Sequence, residues 1–158
     1  MGELLSGSAP PKEFLNPFGF VVMWVLYGFG ALLVREGALL FGGGWHRVLL
    51  LGAAYGITEE GLLCRSFFDP GWMDLGPLAG YGRWGGVNAV WSLHLTIYHT
   101  FFSIAAPILL VELAWPEVRG RLLTSRRWRG VLLGAFLAEV LFVPAALTRY
   151  LPADHLLL

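Results

Sequence analysis

The chain has 158 residues, of which 56% are hydrophobic and 14% charged, against about 25% charged in ordinary soluble domains. So few polar groups cannot cover a water-soluble fold of this size, which leaves the bilayer as the expected solvent. Eleven basic residues offset eleven acidic ones, so no net field draws nucleic acid to the chain. The lone cysteine, Cys64, excludes an internal disulfide or a multi-cysteine metal centre and reads as a small apolar residue.

Residues 1–16, MGELLSGSAPPKEFLN, lack a positive start followed by an apolar run and a small-residue cleavage site. They read as a polar N-terminal tail, with the first span acting as its own insertion signal. Four apolar stretches follow, at about 17–41, 47–67, 86–114 and 129–151, each meeting the ~20 residues a helix needs to cross ~30 Å of hydrocarbon. The first carries Arg35 and Glu36 late in its length, and Gly42, Gly43 and Gly44 make a tight turn into the second. Between the second and third stretches, residues 66–85 are rich in glycine and include Pro70, Trp72, Pro77, Tyr81 and Trp84. That composition breaks helices and favours the headgroup zone, so it predicts one long interfacial or re-entrant loop. Arginines at 119, 121, 126, 127 and 129 lie between the third and fourth stretches. By the positive-inside rule the 115–128 loop is expected to be cytoplasmic, with both termini and the 66–85 loop outside the cell membrane. The expected fold is therefore all-α: an integral membrane bundle of about four transmembrane helices over 17–151, with residues 152–158 a C-terminal tail. Gly28, Gly30, Gly52 and Gly56 would let its helices approach closely.

Ionisable side chains inside a membrane are costly, at about 2.5 to 3.5 kcal/mol on insertion scales, and so are functional candidates. At ~1.5 Å per residue from Arg47, Glu59 and Glu60 lie ~18 to 20 Å into the second helix. His94 lies at comparable depth from the other side, ~12 Å below Gly86, and His99 deeper. On a straight third helix Asn88, Ser92, Thr96, His99 and Ser103 share one face, whereas His94 points ~140° away with Tyr98 and Glu112. His94 and His99 therefore cannot both ligate one metal unless the helix kinks. On the second helix Tyr55, Thr58 and Glu59 share a side, and Glu60 aligns with Cys64. The expectation is that Tyr55, Thr58 and Glu59 face the stripe headed by Asn88 and His99. The candidate catalytic residues are thus Glu59, Glu60, His94 and His99, and the candidate binding residues Tyr55, Thr58, Asn88, Ser92, Thr96 and Arg65. The plainer alternative is structural: such polar residues are common glue between membrane helices. In that case Arg65 or Arg83 neutralises the two glutamates; Glu139, alone in the fourth helix, either takes Arg35 or His99 as a partner or stays a neutral, protonated carboxyl in a packed interface.

A Glu-Glu pair followed by arginine, then a helix carrying histidine, resembles the CPBP intramembrane proteases. Here the residues are Glu59-Glu60-Gly61-Leu62-Leu63-Cys64-Arg65 and Val90-Trp91-Ser92-Leu93-His94. The first is one residue longer than that family's Glu-Glu-x-x-x-Arg, the second has its aromatic one place late, and the later histidine motif has no counterpart. The resemblance implies a glutamate-activated water attacking a peptide bond, with or without a metal. More broadly, the segments Tyr55 to Gly61, Ser66 to Pro70 and Pro107 to Leu113 look like a group of uncharacterised prokaryotic multi-pass membrane proteins, a resemblance that implies membership and no activity. The leading expectation is a non-enzymatic structural or accessory subunit, alone or in a homo-oligomer or larger membrane complex. The alternatives are an intramembrane protease and a proton- or cation-coupled transporter. Cofactor and metal stay open. Catalysis requires the acids to converge with a histidine, whereas an accessory role predicts acids capped by Arg65, Arg83 or Arg35.

Overall fold

Four long helices carry the chain in the computed structural model, which describes residues 16–72 and 74–150. The two expected tails, apart from Asn16, lie outside the described residues.

Helix α1 (17–40) starts on Pro17, where a missing N–H costs nothing because the first helical donors have no intrahelical partner. It ends at the three glycines, whose φ angles of +102°, +74° and +97° suit only glycine. The Gly42 and Gly43 amides close the last turn on the Leu39 and Ala38 carbonyls. Helix α2 (45–63) follows at once and stops at Arg65, the one described non-glycine residue with positive φ, at +60°. Helix α3 (Ala89–Ala114) is capped by Asn88, whose side-chain oxygen accepts from the Trp91 amide at 3.0 Å. Helix α4 (Arg126–Tyr150) completes the set.

The segment between α2 and α3 has local order that its composition did not announce. Strands β1 (Arg83–Trp84) and β2 (Val87–Asn88) pair antiparallel, Arg83 with Asn88 and Trp84 with Val87, around Gly85-Gly86 at positive φ. Phe67, Leu75 and Trp91 form a small core beneath it. The Asn88 amide donates to Phe67 O at 2.9 Å and its side chain to Leu78 O at 2.8 Å. The loop is thereby pinned over the start of α3.

Helix α2 is the centre of the bundle. Gly52 and Gly56, four apart on one face, meet α3 at close range: a Cβ at Gly56 would lie 3.0 Å from the His99 Cβ, and one at Gly52 would lie 3.4 Å from the Thr100 Cα. This is how small residues at i, i+4 bring membrane helices together. Leu26, Val34, Tyr55, Ile104, Ile108 and Phe136 fill the core around that contact.

Outward, the helices present Leu50, Ile57, Leu93, Ile97, Phe102, Leu110, Leu141 and Phe142, all exposed. An apolar belt of this extent is a lipid-facing surface. Two helices, Gly19–Leu40 and Ala89–Ala114, are long and apolar enough to cross a membrane, and only 28% and 33% of their most apolar windows are buried. They are therefore not the enclosed core helices of a soluble fold.

Candidate functional site

Each of α1, α2 and α3 contains one wide π-type turn, at Trp24–Phe29, Glu59–Leu63 and His99–Ala105. Such turns are rare and often lie at functional sites. In α2 the Cys64 amide reaches back five residues to Glu59 O at 2.9 Å. In α3 the turn precedes Pro107, which cannot donate to the carbonyl four residues back and whose ring crowds it.

The three turns bring one side-chain cluster together. His99 Nε2 lies 2.9 Å from Glu60 Oε1, and His99 Nδ1 lies 3.0 Å from both Glu59 Oε2 and Ser103 Oγ. The imidazole is thus bracketed by two carboxylates, one at each ring nitrogen. Ser66 Oγ donates to Glu60 Oε2 at 2.5 Å. Tyr27 stacks on the imidazole, with centroids 6.4 Å apart and planes 9° from parallel, and its hydroxyl hydrogen-bonds Glu59. Glu59 is 1% exposed and His99 2%.

Glu59 Oε2 has no hydrogen bond, because the Nδ1 position beside it is aligned with Ser103 rather than with the carboxylate. The ligand atoms of Glu59, Glu60 and His99 lie within 4.8 Å of one another. Two carboxylates and an imidazole are a ligand set that suits a divalent ion. The same geometry also lets the ring take a proton at one nitrogen and release it at the other.

Residues 1–151 match the sequence profile of an uncharacterised membrane protein family. The chain belongs to that family. No curated protein and no solved structure matches it. The family's profile spans all four helices and the whole Glu59–His99–Glu60 cluster. It agrees with the broader of the two resemblances, to uncharacterised multi-pass membrane proteins, and does not extend to the CPBP proteases.

Within this family member several expected site residues stand elsewhere. His94 is exposed and packs on Trp91, with ring centroids 5.7 Å apart, because regular α-helix from Ala89 to Tyr98 holds it away from the His99 face. Tyr55 turns toward α1 and α4, where its hydroxyl donates to Leu26 O at 3.2 Å and its ring stacks on Phe136, and its side chain also lies beside Glu59 of the cluster. Thr58 and Ser92 donate to carbonyls four residues back in their own helices, Ala54 O at 2.8 Å and Asn88 O at 2.7 Å. Thr96 offers its carbonyl to the Thr100 hydroxyl at 2.6 Å. Asn88 is a cap and a loop anchor. Of the expected stripe, His99 and Ser103 are the members at the cluster.

Neither expected cation reaches the acids. Arg65 is exposed and makes no ion pair among the described residues, because the left-handed turn there carries the chain off the helix axis. Arg83 donates to Phe68 O at 2.6 Å and Gly86 O at 3.0 Å. Glu59 and Glu60, expected to diverge by a full α-helical step, instead both reach His99 because the wider turn brings successive side chains closer in angle. Three contributors were not singled out as site candidates: Ser66, Ser103 and Tyr27. Tyr27 had a faint signal, since Tyr27-Gly28 echoes Tyr55-Gly56.

At the other end of α1 the acids do meet arginine. Arg35 bonds Glu112 at 3.0 Å, contacts Glu36 at 3.4 Å, and donates to the Val118 and Arg121 carbonyls. Glu36 accepts from the Leu123 amide at 2.8 Å, the Thr124 hydroxyl at 2.7 Å and Arg129 at 3.3 Å. Glu139, which Arg35 or His99 was expected to partner, is buried, with neither oxygen hydrogen-bonded. Both expected partners are engaged elsewhere. A cavity of about 370 Å³ runs between α1 and α3, from Tyr27 and Ser103 at one end to Arg35 and Leu123 at the other.

Proposed function

We propose that this protein is a membrane-embedded hydrolase of four spans, in which Glu59, His99 and Glu60 activate water against a substrate that arrives through the bilayer. One observation carries the reading: a buried imidazole is bracketed by two buried carboxylates, and among the described residues no arginine pairs with either. The molecule supplies its own comparison. Where acids serve to join elements, at Glu36 and Glu112, each is closed on Arg35. Glu59 and Glu60 instead share a single imidazole, a cation that can give up its proton where a guanidinium cannot. The proposed step uses Glu60 or Glu59 as the base that takes a proton from water as its oxygen attacks a carbonyl. His99 then carries that proton toward the leaving group. The topology proposed with it puts the arginine-rich 115–128 loop in the cytoplasm and both termini outside the cell membrane.

The test is product release by the purified protein in lipid nanodiscs, offered membrane-spanning peptides and a mixed lipid extract, with products read by mass spectrometry. General acid–base groups contribute about 10²–10⁴-fold, so Glu60→Gln and His99→Gln should each lose about a hundredfold or more. Equal release by wild type and Glu60→Gln would refute the assignment. A second reading, a proton-coupled carrier, is favoured by the unbonded carboxyl of Glu139 on α4. It predicts that the protein collapses a pH gradient across vesicles and releases no product. Silence in both assays would return the chain to an accessory role.

A further inference from the structure

The walls of the 370 Å³ cavity are α1 and α3, the two helices long and apolar enough to cross a membrane. Ala31, Leu32, Phe102, Ile108 and Val111 line it, so it offers a chain little to hydrogen-bond. Its volume falls in the usual range for a small-molecule pocket, about 300–1,000 Å³. From Tyr27 to Arg35 is eight residues, so the slot runs ~12 Å along the helix axis at ~1.5 Å per residue. One leaflet of a ~30 Å hydrocarbon core is about 15 Å deep. The slot therefore reaches most of the way across one leaflet and runs along its helices, as the leaflet's chains do.

Its ends differ in chemistry. The inner end stops on Tyr27 and Ser103, both of which contact His99. The outer end lies at Arg35 and Leu123, beneath the 115–129 segment, which holds five arginines and a single acid, Glu117. Arg119 and Arg121 are exposed there, next to Val118 and at the residue whose carbonyl binds Arg35. Arg35 itself is already saturated, and Arg119 gives its Nε to the Glu112 carbonyl at 2.9 Å, so the positive charge near the mouth that no acid closes among the described residues belongs to Arg119 and Arg121. A slot most of a leaflet deep with a cationic mouth has the shape and charge of one anionic amphiphile.

We infer that the cavity between α1 and α3 holds one acyl chain of an anionic phospholipid from the bilayer, with its phosphate on Arg119 and Arg121 and its chain end against Tyr27 and Ser103. This goes beyond the hydrolase reading and does not depend on it, because the lipid's ester groups lie near the arginines and far from His99. The bound chain seals the imidazole from the rest of the leaflet.

The full chain, taken up from vesicles of phosphatidylcholine and phosphatidylglycerol, should retain one phosphatidylglycerol in native mass spectrometry. A basic residue at the membrane surface is worth about fivefold in binding, so Arg119→Gln with Arg121→Gln should lower the preference over phosphatidylcholine about twentyfold. Ala31→Trp should expel the chain, and Val111→Trp, which fills the slot from the opposite helix, should do so if the first variant fails to fold. Glu60→Gln should leave retention unchanged even where it abolishes hydrolysis, which separates this claim from the catalytic one. Equal retention of both lipids by wild type, or undiminished retention by a slot-filling variant that folds, would overturn the inference.

Discussion

Replacing Gly56 by alanine tests the closest helix contact and the site it supports together. The added methyl would sit 3.0 Å from the His99 Cβ and 3.5 Å from the Thr96 Cα. Neither neighbour can swing aside, because the Thr96 Cα is backbone and the His99 Cβ is bonded directly to its own Cα, so α3 itself must move by a few tenths of an ångström. Overpacking of this kind costs about 1–3 kcal/mol. The shift also carries His99 Nε2 away from Glu60 Oε1, a contact of 2.9 Å with little room before it leaves hydrogen-bonding range. A hydrogen bond to a charged group is worth about 1.5–3 kcal/mol, so the combined loss should be roughly 2.5–6 kcal/mol. Gly52→Ala, whose nearest contacts are at 3.4 Å, should cost clearly less. Gly134→Ala on the exposed side of α4 meets nothing within 4 Å and should be neutral or stabilising by up to about 1 kcal/mol through helix propensity. Thermal unfolding in nanodiscs, followed by tryptophan fluorescence, ranks the three. If Gly56→Ala unfolds at the temperature of Gly134→Ala, α2 and α3 do not meet as described and the account of the cluster fails with them.

Glu36→Ala removes the acceptor for three loop donors and the partner of two arginines, so it should cost about 3–5 kcal/mol and open the 115–125 segment to limited proteolysis, whereas a variant as resistant as wild type would show the latch to be idle. Asn88→Ala deletes the cap of α3 and the bond to Leu78 O; a loss of about 0.5–2 kcal/mol is expected for the cap alone, and hydrogen exchange at the Trp91 amide should rise. His94→Ala should change stability by no more than about 0.5 kcal/mol and leave any product release intact, and a large effect on either would reassign the catalytic histidine.

The helices were legible because apolar runs of spanning length are punctuated by residues with one structural meaning: three glycines after Leu40, proline and glycine between 66 and 85, and arginines before α4. The separation of His94 from His99 followed from regular geometry, and α3 is regular between them as far as Tyr98. The cluster itself was less legible, since projecting side chains at 100° per residue assumes an α-helix throughout. Three π-type turns break that assumption, and they lie under Tyr27, under Glu59 and Glu60, and at His99. Only the turn before Pro107 has a local cause visible in the residue types. Two of the expected hydroxyls misled for another reason: a serine or threonine in a helix can satisfy itself on the carbonyl four residues back, as Ser92 of the stripe and Thr58 of α2 do, and then directs nothing across the interface.

The two acidic clusters of the bundle sharpen what the wide turns accomplish. Around Arg35, every charge meets an opposite charge or a backbone carbonyl, and the result ties the α3–α4 loop to the end of α1. Around His99 the helices give up regular hydrogen bonding in three places and bring two carboxylates to a single imidazole, leaving Glu59 Oε2 without a hydrogen bond. A lock needs neither the distortion nor the unbonded oxygen, and the chain shows that it can build a lock without them. Replacing Glu59 by glutamine separates the two purposes. In a lock the substitution should simply cost stability. In a proton-handling or cation-holding site it should leave stability nearly unchanged or raise it, because one buried charge is removed, while abolishing activity.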